Sequence, residues 1–414
     1  MANTTLTADV IAKEALVIVE NELGWLDNLH RAYEEEFSNS VNGYKIGDTI
    51  SIRRPSDFTV RTGATLSAQD VIEGKTTLTI DQQVGIDFQF TSTDLTLKIE
   101  DLSKRVIKPA MSRLINHVAS DVATNMYRGA YNWAGTPGQV VNSFADFAKG
   151  PERLDEMAVP MSDRCALLSP ADHWALVGSQ TQLYNTGTEA SAYREGRLGK
   201  VGGVETYMSQ LVPTHTNGTA DGSTPLVDGA DQNVTYDAAK NSWSQTLVTD
   251  GWDGSATLTA GTVFTIAGVF MVNPKTKAST GILQQFVVLS DTTAAASSAN
   301  DTNLVISPPI ITSGPHQTVS AVPANDAVIT PLGAASTGYR QNMVFHKNCM
   351  ALAVVPMEMP QGSVNGSRQT YKGLSVRVIP VYDGTNDISK WRLDMLYGRK
   401  LIDPRLITRL SGTA

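Results

Sequence analysis

The stretch Thr77–Phe90, TLTIDQQVGIDFQF, decides how this chain is read. Leu78, Ile80, Val84, Ile86, Phe88 and Phe90 all hold even positions, broken only by Gln82, while the odd positions carry Thr77, Thr79, Asp81, Gln83, Gly85, Asp87 and Gln89. Period two over that length predicts a half-buried β-strand, roughly 45 Å long at ~3.3 Å per residue. The period then changes. Leu102, Val106, Leu114, Val118, Val122 and Met126 step by fours, widened by Ile107, Met111 and Ile115, which predicts an amphipathic helix over 99–131. At 1.5 Å per residue that helix is about 45–50 Å long. A globular domain rarely needs two consecutive elements of such length; a subunit that spans between neighbours does.

Working outward, residues 6–37 read as a helix interrupted at Gly24, with an acidic run Glu34–Glu36 that reads as a solvated face. Tyr44–Ile52 reads as a strand broken by Arg53-Arg54-Pro55, so 44–90 forms a two-stranded arm with a polar tip. An isolated ribbon of that kind is marginal in water unless another subunit covers it. Pro109 lies inside the helical pattern and predicts a bend there. Tyr127, Tyr131 and Trp133 cluster at the helix end and read as core.

Beyond the helix, 143–215 reads as α/β: a helix over Ser143–Met157, a strand Cys165–Leu168, a helix Ala171–Val177 opened by Pro170, a helical turn Glu189–Tyr193 and a strand Val204–Ser209. Composition shifts near Thr216. From there to about Thr337 short strands alternate with Gly, Asn, Asp and Pro, at 246–248, 257–259, 263–266, 286–289, 304–307 and 328–329, which predicts a small barrel or sandwich inserted into the α/β part. After it come a strand Cys349–Val355, a hairpin with Leu374, Val376 and Val378 facing Trp391, Leu393, Met395 and Tyr397 across Asp383–Asn386, and a final strand or strand pair around Pro404.

The 414 residues exceed one simple core, and 33 basic against 41 acidic side chains give a net charge of −8, which argues against a surface built to grip nucleic acid. Two cysteines, Cys165 and Cys349, imply no disulfide framework and suit a reducing cytoplasm. Met1–Val10 lacks the pattern of a signal peptide, and no apolar run approaches the ~20 residues that span a bilayer.

No catalytic constellation emerges, and neither a cofactor nor a metal is expected. The six histidines are scattered without metal-ligand spacing. Ser169, Asp172 and His173 are triad residue types, but neighbours at a helix start cannot form nucleophile–base–orienter geometry, so Asp172 reads as a first-turn residue. Gly199–Gly203 lacks the spacing of a phosphate loop. Asn217-Gly218-Thr219 and Asn233-Val234-Thr235 match the glycosylation pattern but read as background. Asp228, Asp231, Asp237, Asp250 and Asp253 cluster in a turn-rich region without calcium-loop spacing; they could hold a cation or meet a basic partner. Lys98, Lys104, Arg105, Lys108 and Arg113 line the polar side of the long helix, either as a solvated face or as one that meets a neighbour or packaged nucleic acid.

Ser103–Ala110 (SKRVIKPA), Tyr193–Gly196 (YREG), Leu258–Phe270 (LTAGTVFTIAGVF), Val272–Lys277 (VNPKTK) and Leu396–Gly398 (LYG), taken with the order of parts, resemble tailed-phage major capsid proteins with the Johnson fold. Within them the chain is similar to coat proteins of the Salmonella phage P22 type. The resemblance implies an α+β capsid fold with a long spine helix, an extended β-arm and an inserted all-β barrel. Its divisions would be 1–43 N-terminal helical arm, 44–90 extended arm, 91–140 peripheral domain with the spine helix, 141–215 first part of the axial domain, 216–340 barrel, and 341–414 the remainder. It further implies self-assembly into hexamers and pentamers of an icosahedral shell in the host cytoplasm, with a scaffolding protein, a portal protein and packaged DNA held weakly on the inner face, and with no membrane. Arg53, Arg54 and Arg61 on the arm, and Asp228, Asp231, Asp237, Asp250 and Asp253 on the insert, are the expected intersubunit contacts. The Ser/Thr/Gly-rich insert supports a different reading, a β-rich carbohydrate-binding or adhesive protein, which requires exposed aromatic platforms. A hydrolase would need Asp172 or His173 for activity.

Overall fold

The computed structural model describes residues 15, 24–33, 40–41, 44–45, 49–61, 63–66, 68–91, 106–180, 198–220, 224–360, 366–371 and 374–413. Most of the helix expected over 6–37 with Glu34–Glu36, the turn Glu189–Tyr193, the YREG stretch, the first residues of the long helix, and Lys98, Lys104 and Arg105 lie outside them. Contacts divide the chain into two compact units. One takes the described parts of Met1–Ser51, Thr77–Val122 and Met350–Lys400; the other takes those of Ile52–Thr76, Ala123–Cys349 and Leu401–Ala414.

In the first unit the C-terminal hairpin, Leu374–Asp383 with Ile388–Leu401, forms around the turn at 384–387. Val376, Val378, Leu393, Met395 and Tyr397 are buried as expected, but so are Ser375, Arg377, Ile379 and Asp394 between them, so the middle of the hairpin is covered on both faces rather than alternating in and out. Ser367–Tyr371 and Met350–Val355 extend this sheet. Gln82–Thr91 completes it, in a ten-residue antiparallel ladder from Gln82 opposite Tyr397 to Thr91 opposite Ile388. The expected single strand over 77–91 is therefore two. Lys75–Thr79 pairs with Thr49–Arg53, the chain changes partner at Ile80-Asp81, and Gln82–Thr91 joins the hairpin. The change is possible because Gly398 lies so close to Thr79 that a Cβ there would sit 2.3 Å from its carbonyl oxygen. Alternation survives the break: every even residue of 82–90 is half-buried and every odd one exposed.

The long helix α1 runs Lys108–Gly129, after a π-type turn at 106–107. Met111, Leu114, Ile115, Val118, Val122 and Met126 are buried, and Lys108, Arg113, His117 and Arg128 are exposed, so the four-step pattern reports the buried face. Pro109 is the second residue of α1, and the irregularity of the helical pattern, the π-type turn, lies directly before it.

The second unit holds a mixed six-stranded sheet in the order Asn132–Ala134, Ile407–Leu410, Asn342–His346, Arg164–Leu168, Val204–Met208, Lys200–Val201. Helix α2, Phe144–Glu156, packs Phe147 and Leu154 onto it. Its N-cap is Ser143, whose Oγ accepts from the Asp146 N–H at 3.1 Å, and its C-cap is Met157, the ends expected from the sequence. Helix α3, Pro170–Gln180, begins at the proline that marked it.

Between Thr214–Thr216 and Gly338–Arg340, which pair as a short antiparallel neck, the chain builds the all-β insert. Its sheet runs Leu226–Val227, Gln245–Asp250, Thr302–Ser307, Ser279–Val288, Val263–Val272, Ile329–Pro331. A bridge from Leu226 to Val328, with the Val227 and Ile329 N–H groups bonded to Ala327 and Pro225, brings first and last strands together, so the sheet nearly closes as a barrel. Leu247, Phe264, Ile266, Phe286, Leu304, Ile306 and Ile329 fill it. Two strands, each expected to be four residues long, run for ten, with Gly268 and Gly281 lying within them at irregularities of the pairing.

Candidate assembly surfaces

Ser169, Asp172 and His173 belong to the core. The Asp172 carboxylate accepts from the Ser169 hydroxyl at 2.5 Å and the Val141 N–H at 2.8 Å, tying a loop to the start of α3. The His173 N–H donates to the Ser169 carbonyl, and its ring packs edge-on against Trp174. Cys165 and Cys349 are free and buried; burial pushes the Cys165 thiol up to about 11 and the Cys349 thiol well above its ordinary value, so neither is a thiolate at neutral pH. The Asn217 amide donates to the Leu332 and Ala334 carbonyls from a buried position. Among the described residues no group of three or more His, Cys, Asp or Glu could hold a metal ion, and no helix is long and apolar enough to cross a membrane.

The insert presents an acidic surface. Asp228 and Asp301 share a hydrogen bond that raises the Asp228 carboxyl above its ordinary value, and Asp250 and Asp326 add like charge. Of the expected acidic residues Asp228 and Asp250 thus lie together, joined by Asp301 and Asp326 from far along the chain. Asp231 and Asp253 are exposed, and Asp237 pairs with Lys240 at 2.7 Å.

On the arm, Arg53 is exposed and pairs with Glu73 at 3.4 Å, while Arg61 bonds the Gly63 carbonyl at the tip. Arg54 is engaged inside its own subunit: Nε donates to Thr76 Oγ1 at 3.0 Å, and the guanidinium lies 5.2 Å from the centre of the Trp243 ring. Beyond the root, Phe58, Val60, Leu66 and Val71 are exposed, Val60 at 92%. Sequence reasoning missed Trp243 and Arg409. Trp243 sits alone between serines, and Arg409 reads as an ordinary tail cation, so neither carries a local signal.

The chain is 23% identical over 384 residues to the major capsid protein of Acyrthosiphon pisum secondary endosymbiont phage 1, covering 88% of this chain and 89% of that one. Its class is thus that of the phage major capsid proteins, structural subunits of a virion shell. The P22 coat protein family (gene protein 5) matches residues 35–412, and the chain belongs to that family. Its α+β architecture, with spine helix, arm and nearly closed barrel, is the phage major-capsid fold the sequence pointed to. Among solved structures, Mycobacterium phage Che8 aligns at 13% identity and a TM-score of 0.49, covering 93% of this chain and 89% of that chain. The CUS-3 coat protein I-domain aligns at 30% identity and a TM-score of 0.20, covering 28% of this chain and 99% of that one.

Proposed function

We propose that this capsid protein assembles as hexamers and pentamers of an icosahedral shell around packaged double-stranded DNA, in the host cytoplasm, together with a scaffolding and a portal protein, and that it catalyses no reaction. The divisions are those expected from the sequence: arm at 44–90, spine helix within 91–140, axial parts at 141–215 and 341–414, barrel at 216–340. One observation carries the reading: apolar surface left open on the single chain. Val84, Ile86, Phe88 and Phe90 are only half-buried, and Phe58, Val60, Leu66 and Val71 stand in water on the arm. Copies of the same chain are the natural cover for such faces. Arg53 and Arg61 on the arm, and Asp228, Asp231, Asp237, Asp250 and Asp253 on the insert, are the polar contacts that would orient them. Net negative charge suits a lining that leaves DNA mobile. Electron microscopy of the overexpressed protein, with and without scaffold, tests this. Closed shells with scaffold are expected; a monomer at high concentration under both conditions overturns it.

A further inference from the structure

Three features meet at Trp243. Its backbone lies in the left-handed region at φ +53, which bulky side chains avoid. Its buried indole N–H has no hydrogen-bond partner among the described residues. Two half-buried guanidinium groups lie against its ring, Arg54 at 5.2 Å and Arg405 at 5.9 Å from the centroid. Such features persist only where surrounding structure holds them, and their coincidence points to a purpose. Tyr236, stacked on His316 at 3.6 Å, packs edge-on against the same indole.

What meets at this indole is the root of the arm and the insert. Arg54 enters from the arm. The Lys75 N–H donates to Asn241 Oδ1 at 3.1 Å, and Lys277 pairs with Asp57 at 3.2 Å. Gly74 approaches so closely that a Cβ on it would lie 2.4 Å from the Lys240 carbonyl oxygen, a distance only glycine allows. A cavity of about 40 Å³ lies beside these contacts, lined by Asp57, Trp243, Lys277 and Arg405.

We propose that the root of the arm is latched to the barrel of its own subunit through Trp243, so that the insert sets the direction in which the arm leaves. Arg54 and Trp243 are its positioning residues; Asp57–Lys277 and Lys75–Asn241 fix the register on either side. A two-stranded ribbon whose ladder is no longer than Thr49–Arg53 against Lys75–Thr79 is marginal by itself. Four contacts to a packed barrel hold it. The latch lies within one chain, and its test does not depend on assembly.

Hydrogen–deuterium exchange on the full unassembled chain reads the latch directly. The reporters are the arm-root amides at 53–54, 56–57 and 73–76, and the reference is the barrel strands Gln245–Asp250 and Val263–Val272. Trp243→Leu should accelerate arm-root exchange at least tenfold with reference amides unchanged, while Trp243→Phe, which keeps a ring for the cations, should stay within about threefold of the parent chain. Arg54→Gln and Gly74→Ala act from the arm side, leave the barrel core untouched, and should each reproduce the acceleration even if Trp243→Leu fails to fold. Asp57→Lys should loosen the root, and adding Lys277→Asp should restore it. Arm-root exchange within twofold of the parent in Arg54→Gln and Gly74→Ala overturns the proposal. So does a rise shared equally by the reference strands, or equal effects of leucine and phenylalanine at 243.

Discussion

Replacing Arg409 by methionine should destabilise the subunit by about 2–4 kcal/mol. The side chain is fully buried in the strand Ile407–Leu410, and burial pulls its guanidinium down to about 9. It donates to the Gly261 carbonyl at 2.7 Å, the Tyr127 carbonyl at 2.5 Å and Gln341 Oε1 at 3.3 Å, with the Tyr127 and Trp133 rings 5.4 and 5.5 Å away. One cation thereby joins the end of the spine helix, the insert and the C-terminal strand. Methionine fills similar volume and removes the cost of burying a charge whose Nε has no partner among the described residues. Against that relief stand two ring contacts of roughly 0.5–2 kcal/mol each. The Gly261 carbonyl, orphaned at about 1–3 kcal/mol, adds to them. The Tyr127 carbonyl keeps its bond from the Ala130 N–H, so its loss is the smallest. Urea unfolding followed by tryptophan fluorescence measures the balance, Trp133 being a nearby reporter. Arg409→Lys, which keeps the charge but cannot fork to three acceptors, should do no better than methionine. A loss below about 0.5 kcal/mol for methionine would mean that burial of the charge cancels everything it holds, and the reasoning fails.

Acid should weaken the same region through His215, which burial, assisted by Arg409, pulls down from 6.5 to about 4. The unfolded chain takes up the proton first, so stability is full above about 6.5 and falls as pH drops toward 4, by roughly 3 kcal/mol at most. His215→Asn should flatten that part of the pH–stability curve, and an unchanged slope would exclude His215 as its source. Asp394 is buried between the buried Arg377 at 2.6 Å and the exposed Arg392 at 2.9 Å in the hairpin sheet, so Asp394→Ala strands the Arg377 cation and should cost about 3 kcal/mol in denaturant melts. Residues 221–338 expressed alone should give a β-type circular dichroism spectrum with a cooperative melt; a coil spectrum contradicts independent folding of the insert.

What the sequence made legible was whatever repeats locally. The stripe of α1, the caps of α2 and the apolar face of the C-terminal hairpin each report burial through side chains a few residues apart. The strand over 77–91 shows the limit. Its period-two pattern continues through Ile80-Asp81, since alternation records which side is apolar and not which partner is paired. The break lies at a contact with Gly398, more than three hundred residues later. Arg409 and Trp243 were hidden for the same reason: their partners come from distant segments, and single residues have no period. Asp228 and Asp250 were visible as a cluster because they share one turn-rich stretch, whereas Asp301 joins them through the pairing of Thr302 with Thr249 and Asp326 through its N–H bond to the Val227 carbonyl.

The neck of the insert has a practical meaning. A polypeptide that departs through Thr214–Thr216 and comes back through Gly338–Arg340 needs its replacement to offer only two ends about one strand spacing, ~4.8 Å, apart. The position is accordingly a cassette: a foreign β-module with adjacent termini could be exchanged there, without re-registering the sheet from which it springs, to test what the native barrel adds to a shell.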